Sequence, residues 1–492
     1  MFNLRQSSVL IVAICLLATS VSASIVHVPG NKPTIQAAID FAQNFDTVVV
    51  ADGHYYERLV VMNKAIIVGS AYVLDRQTSH ITSTIVDADP SVLGHSDSGS
   101  VVRFIVTNQG ECGIVGLTLQ NGTGTPFNLP SGESSVGGGG VYCLLGYPLI
   151  DRVRIISCTG DHGSGILAAL GSSPLISFSS IAGSVASIDA STLILRDSSA
   201  AGELEVVGAA ATVQSNCTLD SIHSRAWAIV QVSGSTVAGA VRCQDTSHGE
   251  FTNCKIGGAA TIRVNTHVAF SGSSVGGVHV DSCLQPDGDV ELNSCLITGP
   301  SSLRESDLRF SRCTLTEGID VADAVVVIDS SIVVVSGGSI VTCTGEVMAG
   351  VQGYSDDFYG FSGPSWFDCP NIFVSTENII STDPRFCSPI SGDYRIADSS
   401  GCAAANNSFR TQLGAFGIGC GCCQGVTGNV NSVGIVDLAD LSSLVSFLTG
   451  GGYVIRCKAE GNINGLGIVD LADLSSLVSF LTGGGYTFPA CN

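Results

Sequence analysis

Phe251-Thr252-Asn253-Cys254-Lys255-Ile256 is one copy of a motif that recurs between residues 150 and 333: a large apolar residue, a small one three places on, and an apolar one two further. Centred on the small position, the copies fall at Val153, Ser179, Ser198, Cys217, Ser235, Cys254, Ser273, Cys295, Cys313 and Ser331. Their intervals are 26, 19, 19, 18, 19, 19, 22, 18 and 18 residues. Nine copies are apolar three places before the centre (Gln214 breaks the pattern), and all ten are apolar two places after it, Ala200 being the smallest. A fixed short period marks a solenoid, whose units bury their apolar positions only against their neighbours. The unit is β: rich in Val, Ile, Ser, Thr and Phe, too short for a helix pair, and without a run of helix formers. In seven copies the residue before the centre is Asp197, Asn216, Gly234, Asn253, Gly272, Ser294 or Ser330. These types tolerate left-handed backbone or hydrogen-bond it locally. One strand ends at the large residue, the chain turns a corner, and the next strand starts at the small one. Stacked coils of this kind make a parallel β-helix.

The corner Asn253-Cys254-Lys255-Ile256 resembles the right-handed β-helix family typified by pectate lyases. Gly140-Val141-Tyr142-Cys143 with Pro148-Leu149-Ile150, echoed by Gly165-Ile166 with Pro174-Leu175-Ile176, strengthens the likeness. It covers residues 25–418 and implies an all-β, single-stranded right-handed parallel β-helix. It implies a shape and not a reaction, because fold and function separate freely.

The net charge of −21, with only 13% charged residues, argues against a nucleic-acid or anionic-membrane partner. Residues 1–23 read as a secretory signal peptide: Arg5, an apolar run over 9–17, then Val21-Ser22-Ala23 before the cut. That run is too short to span a bilayer. The expectation is a secreted chain, extracellular or at the cell surface, with a β-helix domain over 24–418 and a second module over 419–492. Without Cys15, 18 cysteines remain, and an oxidising compartment favours disulfides. Cys295 and Cys313 hold equivalent positions in consecutive coils, about 4.8 Å apart, within disulfide reach. A bonded pair and an unlinked stack both fit. Cys217 and Cys254 lie two coils apart and are expected free.

Thr34 opens a helix with Ile35, Ala38, Ile39 and Ala42 on one face, followed by strands near 46–50, 59–61 and 65–68. Such a helix would cover the open end of the solenoid. The block 33–39 with Gly53-His54-Tyr55-Tyr56-Glu57 resembles the first coils of pectin methylesterases, which implies an N-terminal capping helix. Residues 122–139 read as a loop leaving the coil. The period fails between Cys343 and Cys369, where Tyr354, Phe358, Tyr359, Phe361, Trp366 and Phe367 crowd together, as a sugar-stacking surface or as packing over the last coils. Residues 383–387, with Asp393-Tyr394-Arg395-Ile396, Cys402 and 414–417, resemble the closing segment of secreted bacterial β-helix proteins. That likeness implies a Cys387–Cys402 bridge.

Beyond Cys420, Cys422 and Cys423, residues 435–453 are repeated identically at 468–486, each copy preceded by Gly-Asn-Val/Ile-Asn. Leu441, Leu444, Val445 and Leu448 recur at helical spacing before a glycine stop, so each copy is a loop and a short amphipathic helix that can bury its stripe on the other. The pair resembles the dockerin type I module, a duplicated EF-hand-like calcium loop and helix, which implies docking to a cohesin-like or other protein partner. A calcium loop needs oxygens at positions 1, 3, 5, 9 and 12, a carbonyl at 7 and glycine at 6. The resemblance assigns these to Asn429, Asn431, Ile435, Asp437 and Asp440, and to Asn462, Asn464, Ile468, Asp470 and Asp473, with Gly434 and Gly467 at the turn. Position 5 is Val433 or Leu466, which cannot ligate, and two carboxylates per loop imply weak calcium binding.

Catalysis on this fold requires carboxylates converging on one flank. Gln244-Asp245-Thr246 with Phe251-Thr252-Asn253-Cys254-Lys255-Ile256 is similar to a pectin methylesterase segment. Gly258-Ala259-Ala260-Thr261-Ile262 stands where that family carries its second carboxylate, and its Gly-Arg-Pro-Trp motif is missing. Asp161-His162-Gly163 has no Asp-Asp partner of the polygalacturonase kind, so His162 reads as a turn residue. The other histidines show no shared coil position. Asp281, Asp287, Asp289 and Glu291 in the 22-residue coil, with Arg263 one coil away, form the best catalytic patch. The sequence therefore favours a secreted, non-catalytic solenoid that binds polysaccharide or a surface partner. The alternative is a polysaccharide lyase or glycoside hydrolase acting on acidic, pectin-like glycans.

Overall fold

The structure, a computed structural model, describes residues 23–93, 99–107, 110–283, 290–344, 349–362, 365–369, 372–421, 426–489 and 491. The signal-peptide reading and Asp287 and Asp289 therefore lie outside the described residues, as do Cys422 and Cys423. The chain falls into two compact units, residues 1–238 and 239–492. No helix among the described residues is long and apolar enough to cross a membrane.

In the first unit the strands Ile25–Val28, Thr47–Val50, Ile67–Ser70, Gly113–Val115, Leu149–Asp151, Leu175–Ser177, Thr192–Arg196, Ala210–Gln214 and Ile229–Ser233 pair in succession, each pair parallel. Two further parallel ladders, begun by Gly53–Tyr56 on Thr84–Asp87 and by Leu59–Met62 on Val102–Thr107, run alongside and merge in the long strands Ser199–Val207 and Thr218–Arg225. Each turn of chain thus contributes a strand to every ladder, the arrangement of a parallel β-helix.

The second unit repeats this plan. His248–Thr252, His267–Ser271, Val290–Asn293, Asp307–Ser311, Val325–Asp329, Ala349–Tyr354 and Ile372–Glu377 form one parallel ladder. A second begins with Val241–Cys243 on Ala260–Arg263, and a third with Lys255–Ile256 on Ser274–Val275.

The large apolar residues of the repeat stack in register inside the coils. Ile150, Ile176, Leu195, Val213 and Val232 form one column, and Phe251, Phe270, Leu292, Phe310 and Ile328 another. All are buried, and the Phe251 and Phe270 rings stack at 4.9 Å. Burying each is worth about 2–3 kcal/mol of transfer free energy. The Gln214 exception disappears here: Val213 takes the inward place, and the corner gains a residue, Ser215 and Asn216 both being left-handed (φ 61° and 57°).

The corner explains why the central residue is small. All ten residues before the centres have positive φ, including Arg152, Phe178 and Arg312 (φ 52°, 48° and 52°), which sequence types alone do not mark as turn-formers. The left-handed step leaves the next amide without a ladder partner, and a hydroxyl of the following coil accepts it. Ser198 Oγ accepts from Ser179 N (3.0 Å), Ser273 Oγ from Cys254 N (3.0 Å) and Ser331 Oγ from Cys313 N (3.0 Å). The same hydroxyls donate to the carbonyl two residues back, as Ser198 does to Arg196 O at 2.7 Å. Buried backbone donors have to be paired, and Ser or Cys is small enough and polar enough to do so; beyond the last centre Asp356 Oδ1 takes this place, accepting from Ser331 N at 2.8 Å.

A second buried small-residue column sits at another corner and escaped the sequence reading. It comprises Ser191, Ala209 and Ala228 in the first unit and Ser247, Thr266, Cys283, Ser306 and Ala324 in the second. Each follows a left-handed residue, from Ala190 to Asp323.

Helix Ile35–Phe41 forms as expected, with Thr34 Oγ1 capping Ala37 N and Ile35, Ala38 and Ile39 buried. Its first amides, Ile35 N and Gln36 N, donate to the Glu57 carboxylate at 2.9 Å. Residues 125–137 are an antiparallel hairpin, Thr125–Asn128 on Ser134–Gly137, whose Phe127 packs on Tyr142, Leu167 and Ala186. In the aromatic stretch Phe358 is buried and meets Trp366 and Phe367 edge to face inside the Cys343–Cys369 disulfide loop, and the other aromatics are half-buried.

Of the two disulfide readings, the open one is decided for the unlinked stack and the other is corrected. Cys295 and Cys313 remain thiols, because each serves the corner as a hydroxyl would. Cys295 Sγ donates to Asn293 O at 3.4 Å, Cys313 Sγ to Ser311 O at 3.4 Å, and burial pushes the Cys313 thiol well above its ordinary pKa. Cys387 bonds Cys420 and not Cys402. The strand Phe386–Ser388 pairs with Asp393–Ala397, which pairs with Ile418–Cys420, and this brings residues 387 and 420 together. Cys402 is buried beside Ile332, Ile396, Ala403 and Leu413, and its thiol donates to Asp357 Oδ2 at 2.9 Å. Cys217 and Cys254 are thiols outside any disulfide, as expected, and Cys457 and Cys491 are disulfide-bonded.

At the C-terminus, helices Leu438–Leu448 and Leu471–Leu481 pack together around Leu444, Leu477, Val430, Ile455 and Ile463. Val445 and Val478, expected in the buried stripe, are each 39% exposed.

Candidate functional site

Three successive strands of the second unit, Ala260–Arg263, Val278–Asp281 and Ser301–Arg304, pair in register. Alternate residues point to opposite faces of a strand. Ala260, Ile262, Val278, Val280 and Leu303 are buried, which turns Thr261, Arg263, His279, Asp281, Ser302 and Arg304 outward. The outward residues make two short rows, Thr261–His279–Ser302 and Arg263–Asp281–Arg304, and line a groove of about 300 Å³. His279 Nδ1 lies 2.8 Å from Ser302 Oγ, and Arg263 Nε lies 3.9 Å from Asp281 Oδ2. Both members of that ion pair are about half exposed, so it contributes little to stability. Its use is positional: Asp281 holds a guanidinium from one coil, and Arg304 sits one coil beyond it. Arg263 and Arg304 lie on alternate coils, their backbones about 10 Å apart at two strand spacings.

The structure thus brings together Arg263 and Asp281 of the expected patch and adds Thr261, His279, Ser302 and Arg304. Glu291 is placed on a different ladder, with Val268–Ser271 and Leu308–Ser311 as its neighbours. There it borders a second groove, of about 410 Å³, with Asp307, Arg309 and Gln352. The added residues were within reach of the sequence: each lies in the strand that starts five or six places after a corner centre, at an outward position the motif did not track.

Histidines also fall in register, contrary to the sequence reading. His248 pairs with His267, and their rings stack at 4.7 Å. In the first unit His162 is more than a turn residue. Its Nδ1 meets Glu205 Oε2 at 2.6 Å, and Arg225 Nη2 clamps the other carboxylate oxygen at 2.8 Å. A comparable pair joins His54 to Asp87 (2.7 Å), which also accepts from Gln120 and Asn121. These contacts lower the Asp87 pKa against the opposing effect of burial, the largest single influence on it.

The residues assigned to calcium loops come together in two matching turns. Gly434 and Gly467 take φ near 70°, which a turn of this sharpness requires, and Asp437 and Asp470 cap the helices that follow. No protein family model matches this chain, and no curated protein matches it in sequence.

Proposed function

We propose that the chain is a secreted, non-catalytic protein built on a right-handed parallel β-helix, that it binds carboxylate-bearing polysaccharide along the groove of Arg263, Asp281 and Arg304, and that its dockerin-like tail docks to a protein partner. Right-handedness follows the general rule for parallel crossovers, and helix Ile35–Phe41 caps the first coil. The observation that carries the binding reading is the in-register row of alternating charge beside a row of Thr261, His279 and Ser302. Guanidinium groups recognise carboxylates with paired donors, and hydroxyls and imidazole recognise sugar hydroxyls. The net charge of −21 opposes a polyanion at long range. Screening within about 8 Å at physiological ionic strength leaves the contact to these local groups. The tail reading is supported by aliphatic residues exposed identically in both copies, Ile435 and Leu438 matching Ile468 and Leu471 at 71–80% exposure.

The test is affinity electrophoresis of the full chain in gels containing polygalacturonate, alginate or a neutral glucan. Acidic gels should retard the wild type, and the Arg263→Ala/Arg304→Ala variant should lose most of that retardation while Arg309→Ala on the neighbouring ladder keeps it. Equal retardation of all three would remove the groove from the proposal. Release of unsaturated uronate in the same gels would replace binding with the lyase reading, with His279 of the same groove as the candidate base.

A further inference from the structure

A duplicated calcium loop is held in shape by its ion, which needs six to eight oxygens. The two turns of this tail spend their oxygens otherwise. In the first, the Asp440 carboxylate is fully buried and accepts two backbone amides, Asn431 N on Oδ1 and Asp437 N on Oδ2, each at 2.9 Å. Asn431 Oδ1 and Asn429 Oδ1 both accept from Val433 N, at 2.7 and 3.2 Å. The other end of the Asn429 amide, Nδ2, donates across the turn to Gly434 O at 3.3 Å. Asp437 Oδ1 accepts from Ala439 N at 2.7 Å.

The second turn repeats every contact. Asp473 takes Asn464 N and Asp470 N at 2.9 and 2.8 Å. Asn464 Oδ1 and Asn462 Oδ1 take Leu466 N at 2.7 and 3.1 Å, and Asn462 Nδ2 donates to Gly467 O at 3.1 Å. The residue in the middle of each turn, Val433 or Leu466, offers no ligand and points outward at 71% and 74% exposure.

We propose that both turns are closed by these hydrogen bonds and that the tail folds and stays folded without calcium. The physical reason lies in the donor set. An N–H pointing at a carboxylate oxygen does the work of a cation for that oxygen, and each turn aims three backbone amides inward at Asp440 and Asn431 or at Asp473 and Asn464. An asparagine at the first position adds a donor where a calcium loop has only acceptors: its Nδ2 is spent on the Gly434 or Gly467 carbonyl and offers a cation nothing. Buried carboxylates require this full pairing, and here the chain supplies it. The consequence is a docking module indifferent to the calcium level around it.

The test uses the full chain and two readouts, hydrogen exchange over 429–448 and 462–481 and calorimetric titration with calcium chloride. Exchange should be the same, within a factor of two, in excess chelator and in 5 mM calcium (several-fold above the roughly 0.1–1 mM dissociation constants of extracellular calcium modules), and the titration should show no binding. Exchange at least tenfold faster in chelator, or two calcium ions bound at submillimolar affinity, would overturn the proposal. Asp440→Ala should open the first turn to the same extent in both buffers; opening seen only in calcium would make Asp440 a ligand and overturn it as well. Asn429→Asp/Val433→Asp, which converts donor and apolar positions to carboxylates, should gain calcium-dependent protection in the first turn alone. Protection by calcium in the unchanged second turn would again count against the proposal.

Discussion

Ser273→Ala tests whether the corner hydroxyls hold the solenoid together. Ser273 is 3% exposed, and its Oγ accepts from Cys254 N at 3.0 Å while donating to Ser271 O. Alanine is nearly the same size, so packing changes little. The Ser271 carbonyl keeps its bond from Asn253 N at 2.8 Å, and the loss concentrates on one buried amide, Cys254 N. Leaving such a donor unpaired costs about 1–3 kcal/mol. Taking about 2 kcal/mol, the local opening equilibrium rises roughly thirtyfold. A solenoid opens coil by coil, so the assay is native-state hydrogen exchange read over residues 248–297, not a single global melt. Ser273→Cys should cost less than about 1 kcal/mol, because a thiol occupies the equivalent place at Cys254, Cys295 and Cys313. Exchange in Ser273→Ala within a factor of two of wild type would refute the reasoning, as would a cysteine variant weaker than the alanine one.

Asp357 should make stability fall as pH rises. Burial pushes its pKa up to about 6 even though Cys402 Sγ (2.9 Å) and Thr382 N (2.9 Å) donate to it; Asp356, itself buried with a raised pKa, and Asp383 are its acidic neighbours. A carboxyl whose folded pKa lies above its unfolded value near 4 contributes its full stability below about pH 4 and loses it as pH rises through about 6. The loss approaches about 3 kcal/mol above pH 7. Urea titrations at pH 4.5 and 7.5 should show this slope in the wild type and a shallower one in Asp357→Asn; equal slopes would show that the two states bind protons alike. Cys343→Ser/Cys369→Ser opens the loop that carries Trp366 and should destabilise it by about 3 kcal/mol, seen as selective proteolysis within 345–368. Cleavage spread over the coils would assign the bond a wider role.

The coil was legible because two constraints coincide at each repeat, an inward large residue and a small residue that serves the amide of the coil before it. Phe251, Phe270 and Phe310 were placed correctly from spacing alone. Gln214 misled because a corner can absorb one extra left-handed residue without disturbing the stack. The second corner column went unread because Ala209, Ala228 and Ala324 carry no polar signal. The groove was half visible: Arg263 and Asp281 stood out as charges, whereas His279, Ser302 and Arg304 emerge only when the outward positions of three coils are laid side by side. The disulfides were misjudged for a general reason. Equivalent positions in neighbouring coils are close enough to bond, yet closeness says nothing about what else the sulfur is needed for.

The thiols at these corners also bear on how the chain reaches its fold. Cys217, Cys254, Cys295 and Cys313, with Cys112, Cys143, Cys243, Cys283 and Cys402, end up buried as thiols, while Cys343, Cys369, Cys387, Cys420, Cys457 and Cys491 must enter disulfides. If the chain is secreted as proposed, the unfolded chain presents both sets to the same oxidant, and wrong pairings far outnumber right ones. Winding the coils first hides the sulfurs that must stay reduced and leaves the closing segment's cysteines available. Productive folding is then a race between coil formation and oxidation, and each closed coil removes its own sulfur from the competition.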